Sequence, residues 1–138
     1  RLKTARPEIA LGADFIAGFP TESEDHFAST LSIIEAAQLA YVHAFPYSPR
    51  PGTPAARMPQ NDRALIKQRA ARLREAGEAA LTRHLSAWVG REGDALIERD
   101  GMGRLSDFTT VRCDVVAAPT QRLRFTHHDG AHLIGVAA

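Results

Sequence analysis

Arginines and aromatic rings, not a cluster of nucleophiles, are the side chains of this sequence whose types and spacing could do chemistry. Arg104, Arg112, Arg122 and Arg124 fall on short segments of β pattern, and Arg122 and Arg124 share parity, so they project from one strand face. A barrel surface carrying these arginines could hold phosphates. Phe108 and Phe125 lie nearby, although Phe125 has the opposite parity and is expected in the core. Earlier in the chain, Tyr47, Arg50 and Arg57 stand in a run, residues 46–59, that holds five of the eight prolines. Missing N–H donors keep this run out of helices and interior strands. It is either a stiff linker or a functional loop at the C-terminal end of a strand, where α/β folds place ligands.

Other chemistries lack their residues. There is no Gly-x-Ser-x-Gly, no phosphate-cradling glycine loop and no paired cysteine motif. His127, His128 and His132 with Cys113 do not make a zinc set, because adjacent strand residues face opposite ways, so no metal site is expected. Cys113 has no local partner to lower its pKa and is expected to be a small buried apolar side chain. No catalytic residue is assigned. Seventeen Lys and Arg against sixteen Asp and Glu give a net charge of +1, which neither favours nor excludes a nucleic-acid partner. With 44% hydrophobic and 24% charged residues the composition is that of a soluble globular protein, not of a disordered or collagen-like one. No run approaches the ~18 apolar residues of a membrane span, so no membrane partner is expected. A single cysteine excludes an internal disulfide and fits a reducing, cytoplasmic setting. The first residue is Arg1 rather than Met, so the chain is expected to be a piece of a longer polypeptide.

The elements that would position these residues follow from periodicity. Arg1 to Arg6 reads as the end of a helix stopped by Pro7. Ile9 to Phe19 reads as a strand whose Phe15-Ile16-Ala17 is apolar on both faces, as in a parallel sheet covered on both sides. Thr21 to Asp25 offers capping side chains and negative charge for a helix start. Phe27, Leu31, Ile34 and Ala37, with Thr30 and Ile33 beside them, form one helical face. A second strand, Tyr41 to Tyr47, completes a right-handed crossover, so the sheet is expected to be parallel. Asn61 or Asp62 caps a long helix to about Trp88, with Ile66, Ala70, Leu73, Gly77, Leu81 and Trp88 on one side. Arg69, Arg72 and Arg83 lie away from that side, on a solvated face or an extension of the arginine stripe. Residues 59–90 hold six basic and three acidic residues, the clearest charge surplus of the chain. Beyond Arg91 come short β segments, Glu92 to Arg99, Arg104 to Asp114, Arg122 to His127 and His132 to Ala137. Turns at Asp100-Gly101, Gly103 and Asp129-Gly130 separate them, and a small barrel of the oligonucleotide-binding type is expected.

Three strings carry a family resemblance. Asp14-Phe-Ile-Ala-Gly-Phe-Pro-Thr-Glu-Ser-Glu-Asp-His-Phe27 resembles a late barrel strand and helix start of the radical-SAM methylthiotransferases. His43-Ala-Phe-Pro-Tyr-Ser-Pro-Arg-Pro-Gly-Thr-Pro-Ala-Ala56 resembles their next strand and loop. Gly90-Arg91, Gly103-Arg104 leading to Phe108, and Leu133-Ile-Gly135 resemble their C-terminal TRAM domain. The middle string, followed by Arg57-Met58, is most similar to the branch that methylthiolates carbon 2 of threonylcarbamoyl-adenosine beside the anticodon of certain tRNAs.

The resemblance implies an α/β protein. The C-terminal strands and helices of a partial (β/α) radical-SAM barrel (1–60) lead through a connecting helix (61–89) to a small all-β TRAM barrel of OB-like form (90–138). It implies S-adenosylmethionine and two 4Fe–4S clusters in the parent enzyme; the cluster-binding Cys-x-x-x-Cys-x-x-Cys is absent here, so this chain alone is expected to be inactive. Asp14, Ile16, Gly18 and Glu22 are the implied cofactor-binding residues, Glu22 standing one residue beyond the motif's last position. Thr21 and His26 replace a Gly and an Asp common in the family, so the start of the helix is expected to differ. Arg91, Arg104, Arg112, Arg122 and Arg124 are the implied RNA-binding set, and Tyr47 and Arg50 the substrate loop. The partner is tRNA at its anticodon region, with a monomer favoured and the sulfur donor unassigned. The rivals are a sister enzyme acting on an aspartate of a ribosomal protein, and a non-enzymatic RNA-binding module.

Overall fold

The structure, a computed structural model, describes residues 2–114 and 117–138. Arg1, the first residue of the expected helix end, lies outside them, and Leu2–Ala5 form a short helix, α1. The chain divides into two compact units, one of Leu11–Ala80 and one of Leu81–Ala138 with the N-terminal segment through Ala10.

In the unit Leu11–Ala80, strands β1 (Gly12–Ala17) and β2 (Tyr41–Pro46) pair in parallel, in register from Gly12 opposite Tyr41 to Ala17 opposite Pro46. Helix α2 (Glu24–Ala36) is the crossover between them. Strand β1 is shorter than its apolar pattern because Gly18 turns the chain at φ +83°. A Cβ there would lie 2.6 Å from Ile66 Cγ1, so glycine is required by conformation and by packing alike. Ala13, Phe15 and Ala17 join Val42 and Ala44 in packing on Phe27, Ile34, Ala70 and Leu73. Fully buried, Phe27 and Leu73 each contribute about 1.5–3 kcal/mol. The opposite sheet face is not covered by the described residues: Ile16 is 59% and Phe45 51% exposed. The double-sided cover expected for Phe15-Ile16-Ala17 is therefore present on one side. Ile33, expected beside the buried face of α2, is also exposed.

Helix α2 begins with a capping box. The Ser23 hydroxyl accepts from the His26 N–H at 3.1 Å, and the Ser23 N–H donates to His26 Nδ1 at 3.4 Å. A histidine thus does the work usually done there by Glu or Gln. Helix α3 (Arg63–Trp88) is capped by Asp62, whose Oδ1 accepts from Ala64 N–H at 2.6 Å, while Asn61 Nδ2 donates to the Phe19 carbonyl at 2.7 Å. Each residue of the expected pair has its own task. Gly77 lets α3 lie close on β2, since a Cβ would come within 2.9 Å of Val42 Cβ.

In the other unit, β3 (Glu92–Arg99), β4 (Met102–Arg104), β5 (Thr110–Cys113), β6 (Thr120–His128) and β7 (Leu133–Ala137) close a barrel in the order β3-β4-β5-β7-β6. All pairs are antiparallel except β5 with β7. The single segment expected over Arg104 to Asp114 is the last residue of β4, a loop and the whole of β5, and Gly103, expected at a turn, lies within β4. Ala95, Ile97, Val111, Leu123, Phe125 and Leu133 fill the interior, with Leu85 packed on them and Trp88 edge-on to Phe125 at 5.8 Å. Register shifts beside Glu98 and Thr126 bend β3 and β6, as closure of so small a barrel needs. His84 Nε2 lies 2.7 Å from Thr109 Oγ1 and 3.6 Å from Asp107 Oδ2, anchoring the loop that holds Phe108 outward, 70% exposed at φ +66°. Burial pushes the His84 imidazole below its usual pKa, against the opposing pull of Asp107.

Candidate functional site

The uncovered face of β1 and β2 and the loop after β2 enclose a cavity of about 590 Å³, lined among others by Asp14, Ile16, Phe45, Tyr47 and Arg50. Asp14 stands opposite His43 and Ile16 opposite Phe45 in the parallel register. The Tyr47 N–H donates to the Ala17 carbonyl at 2.8 Å, keeping the loop's start beside the end of β1. Pro51 and Gly52 (φ +85°) then make a type II turn closed by Thr53 N–H on the Arg50 carbonyl at 3.2 Å. Four of the expected residues, Asp14, Ile16, Tyr47 and Arg50, thus meet at one cavity. Phe45 was missed, although its parity along β2 sets it on the face of His43.

Gly18 and Glu22 do not line this cavity. The Gly18 N–H donates to Glu22 Oε2 at 2.7 Å, and Arg69 Nη1 reaches the same oxygen and the Glu22 carbonyl, both at 2.8 Å. Arg69 Nη2 also lies 3.3 Å from Glu24 Oε2, and its guanidinium sits 5.3 Å from the Phe27 ring centre. Arg69, expected with Arg72 and Arg83 away from the core side, is instead 3% exposed. Its partners lie 45 and 47 residues away in sequence, beyond the reach of helical periodicity. Arg72 pairs with Glu24 at 2.7 Å and lies over Phe27 at 4.6 Å.

On the barrel, Arg104, Arg112, Arg122 and Arg124 are all exposed. Arg122 is paired with Glu92 at 3.1 Å and Asp94 at 3.4 Å; these carboxylates, Glu92 foremost, hold its guanidinium still more firmly protonated. Arg104 lies 3.5 Å from Glu98. Arg112 and Arg124 have no ion pair among the described residues and face Ile134 and Val136 of β7, one on each side of that strand. Arg91 stacks over Trp88 at 4.5 Å. Arg112 and Arg124, like Arg99 on β3, are therefore exposed barrel cations with no neutralising carboxylate among the described residues.

Ile16 and Phe45 give the cavity an exposed apolar floor, with the Asp14 carboxylate and the Arg50 guanidinium beside it, a lining suited to a flat apolar ring that carries polar groups. Nothing fits an iron–sulfur cluster. Such a cluster needs several thiolates, and Cys113 is buried, hydrogen-bonded by Gln121 Nε2 at 3.4 Å, with burial pushing its pKa up. Among the described residues no group of three His, Cys, Asp or Glu could hold a metal. Asp129 Oδ1 accepts from the N–H of Ala131 and His132 at 2.8 and 2.7 Å, bonds that close the β6–β7 hairpin and lower its pKa to about 2. No helix among the described residues is long and apolar enough to cross a membrane.

No family model matches the chain. Curated proteins do. A threonylcarbamoyladenosine tRNA methylthiotransferase of Rickettsia prowazekii (strain Madrid E) is 40% identical over 136 residues, 99% of this chain and 31% of the relative. The tRNA-2-methylthio-N(6)-dimethylallyladenosine synthase of Ruegeria pomeroyi is 43% identical over 105 residues, 73% of this chain and 23% of the relative. That of Thermobifida fusca is 41% identical over 108 residues, 78% of this chain and 22% of the relative. The chain spans less than a third of the length of these relatives. Similar along nearly its whole length to such enzymes, the chain belongs to the radical-SAM methylthiotransferase family.

Proposed function

We infer that this chain is the C-terminal part of a tRNA-modifying enzyme that attaches a methylthio group to carbon 2 of threonylcarbamoyl-adenosine beside the anticodon. The observation that carries the choice of branch is coverage. Similarity to the threonylcarbamoyladenosine enzyme runs over 99% of the chain, against 73–78% for the dimethylallyladenosine synthases. In this reading β1 and β2 are closing strands of a larger parallel barrel, which explains a parallel pair with Ile16 and Phe45 left bare, since parallel sheets are stable when both faces are covered. Residues 1–60 form that barrel end, 61–89 the connecting helix and 90–138 the TRAM barrel.

S-adenosylmethionine, when bound, supplies the radical and methyl chemistry of the family. The residues of this chain hold and orient it: Ile16 and Phe45 give an apolar bed for adenine, and Asp14 accepts hydrogen bonds from the nucleoside. Gly18 and Glu22 are positioning residues that fix the end of β1 against Arg69. Arg50 faces the substrate from the loop, whose start the Tyr47 backbone holds beside the end of β1. Arg91, Arg104, Arg112, Arg122 and Arg124 hold the RNA backbone, Arg91, Arg112 and Arg124 more strongly than Arg104 and Arg122, which carboxylates already neutralise. The thiolates of both iron–sulfur clusters would come from parts of the parent enzyme outside this chain, which alone would be inactive in the cytoplasm where tRNA is modified.

The test is nucleoside analysis by mass spectrometry after the full-length, cluster-loaded enzyme acts on tRNA with S-adenosylmethionine and a sulfide source. The expected product is the 2-methylthio derivative of threonylcarbamoyl-adenosine. Product only on dimethylallyl-adenosine would overturn the choice of branch. Product only on an aspartate of a ribosomal protein would overturn the tRNA reading altogether.

A further inference from the structure

A second, smaller cavity of about 280 Å³ lies between the end of β2 and the first turns of α3, lined by Pro46, Tyr47, Arg63, Ile66, Lys67, Ala70 and Arg74. Its basic residues follow from helical spacing: Arg63, Lys67 and Arg74, with Ala70 between, stand at i, i+4, i+11 and i+7, one stripe along the helix. The floor is apolar, made by Ile66, Ala70 and Pro46. The other arginines in this half of α3 are already ion-paired, Arg69 with Glu22 and Glu24 and Arg72 with Glu24. Arg63, Lys67 and Arg74 have no ion pair among the described residues, although Glu78 stands one turn beyond Arg74. A fourth observation is independent of charge. Tyr47 lines the same notch, and its hydroxyl is screened from solvent with no hydrogen-bond partner among the described residues. A buried hydroxyl left unpaired is unfavourable by roughly 1–3 kcal/mol, so an acceptor brought into the notch would be held there.

Three unneutralised cations and an unused donor around one concavity are the chemistry of a phosphate site. We propose that this notch on α3 binds a phosphate group, and that its source is the backbone of the RNA substrate, outside the segment held by the barrel arginines. The proposal rests on the RNA-binding reading above and adds an anchoring point to it. Lysine and arginine heads held over an apolar floor keep their stems packed and their charge outward, which suits a sequence-independent grip on a phosphodiester.

Phosphate-ethylation interference on tRNA bound by the full-length enzyme tests this. The comparison is wild type against an Arg63→Gln/Lys67→Gln/Arg74→Gln variant and an Arg112→Gln/Arg124→Gln variant, all changed at exposed positions. The expected result is that the α3 variant loses interference at one or two phosphates that the barrel variant keeps, and that the slope of log affinity against log salt falls by about one to two. Tyr47→Phe should weaken the same phosphates without altering the others. An unchanged interference pattern and salt slope in the α3 variant, beside a normal wild-type pattern, overturns the proposal alone. A wild type showing no interference anywhere overturns the RNA-binding reading on which it rests. Titration with inorganic phosphate separates the remaining source: phosphate binding abolished in the α3 variant, with tRNA interference unchanged, assigns the notch to a small phosphate ester and overturns the RNA backbone as its ligand.

Discussion

Glu22 joins the end of β1, the start of α2 and the middle of α3, so truncating it should destabilise the unit Leu11–Ala80 more than any surface change. Its carboxylate and the Arg69 guanidinium are 9% and 4% exposed, and they meet at 2.8 Å while Glu22 also accepts from the Gly18 N–H. Removing one member of a buried ion pair leaves the other charge uncompensated, at about 3–5 kcal/mol. Arg69 would keep the Glu22 carbonyl at 2.8 Å and Glu24 at 3.3 Å, so Glu22→Ala is expected at the low end, about 3 kcal/mol. That is a large share of a typical domain's 5–15 kcal/mol, roughly speaking. The assay is native-state hydrogen exchange of the β1 and α2 amides, which isolates this unit. Replacing both partners, as Glu22→Leu with Arg69→Met, should recover most of the loss, because an apolar pair needs no desolvation of charge. A change below about 0.5 kcal/mol in Glu22→Ala, or simply additive losses in the double variant, would refute a structural role. If Glu22 instead touched the cofactor, the variant would keep its exchange protection and lose only S-adenosylmethionine affinity.

Other outcomes follow from single contacts. Ser23→Ala should lower the stability of α2 by about 1 kcal/mol in the same exchange experiment, through loss of the cap, and an unchanged value would contradict the capping box. Gly18→Ala, forced into φ +83° with its Cβ against Ile66, should lose about 2 kcal/mol or more by urea denaturation; a neutral effect would show that the strand end can relax. Asp129, with a folded pKa of about 2 against ~3.9 unfolded, contributes fully above about pH 5 and loses that contribution as pH falls towards 2. An NMR titration of its carboxyl carbon checks this, and a midpoint near the unfolded value would contradict the hairpin geometry. In tRNA binding by the full-length enzyme, Arg124→Ala should lower the salt slope by about one and Arg122→Ala by less than half as much, because Glu92 and Asp94 already neutralise Arg122. Equal effects would show that these ion pairs do not persist in solution.

The sequence made legible whatever a local period or a turn residue controls. Glu92–Arg99 has the bounds its alternation implied, Asp129-Gly130 closes the hairpin it signalled, and the two parallel strands stand adjacent as the crossover required. Long-range pairing was not legible. Arg69 sits on a helix among other arginines and nothing nearby marks it as buried; only the approach of Glu22 does so. The segment Arg104 to Asp114 read as one strand because its apolar residues continue through a loop anchored by His84, which lies 25 residues from Thr109 in sequence. Of the string that motif resemblance marks, Asp14 and Ile16 line the cavity while Gly18 and Glu22 bond to each other at the strand end, a difference in direction that their spacing does not encode. The notch on α3 was visible as charge surplus, not as a site, until Tyr47 and Pro46 closed it.

The division of labour within this chain is tested most directly by the salt dependence of tRNA affinity in a full-length Arg104→Ala/Arg112→Ala/Arg122→Ala/Arg124→Ala enzyme. A barrel that grips RNA predicts weaker binding and a salt slope lowered by about two, carried mainly by Arg112 and Arg124, with S-adenosylmethionine binding undisturbed. An affinity and slope equal to those of the unaltered enzyme would contradict it.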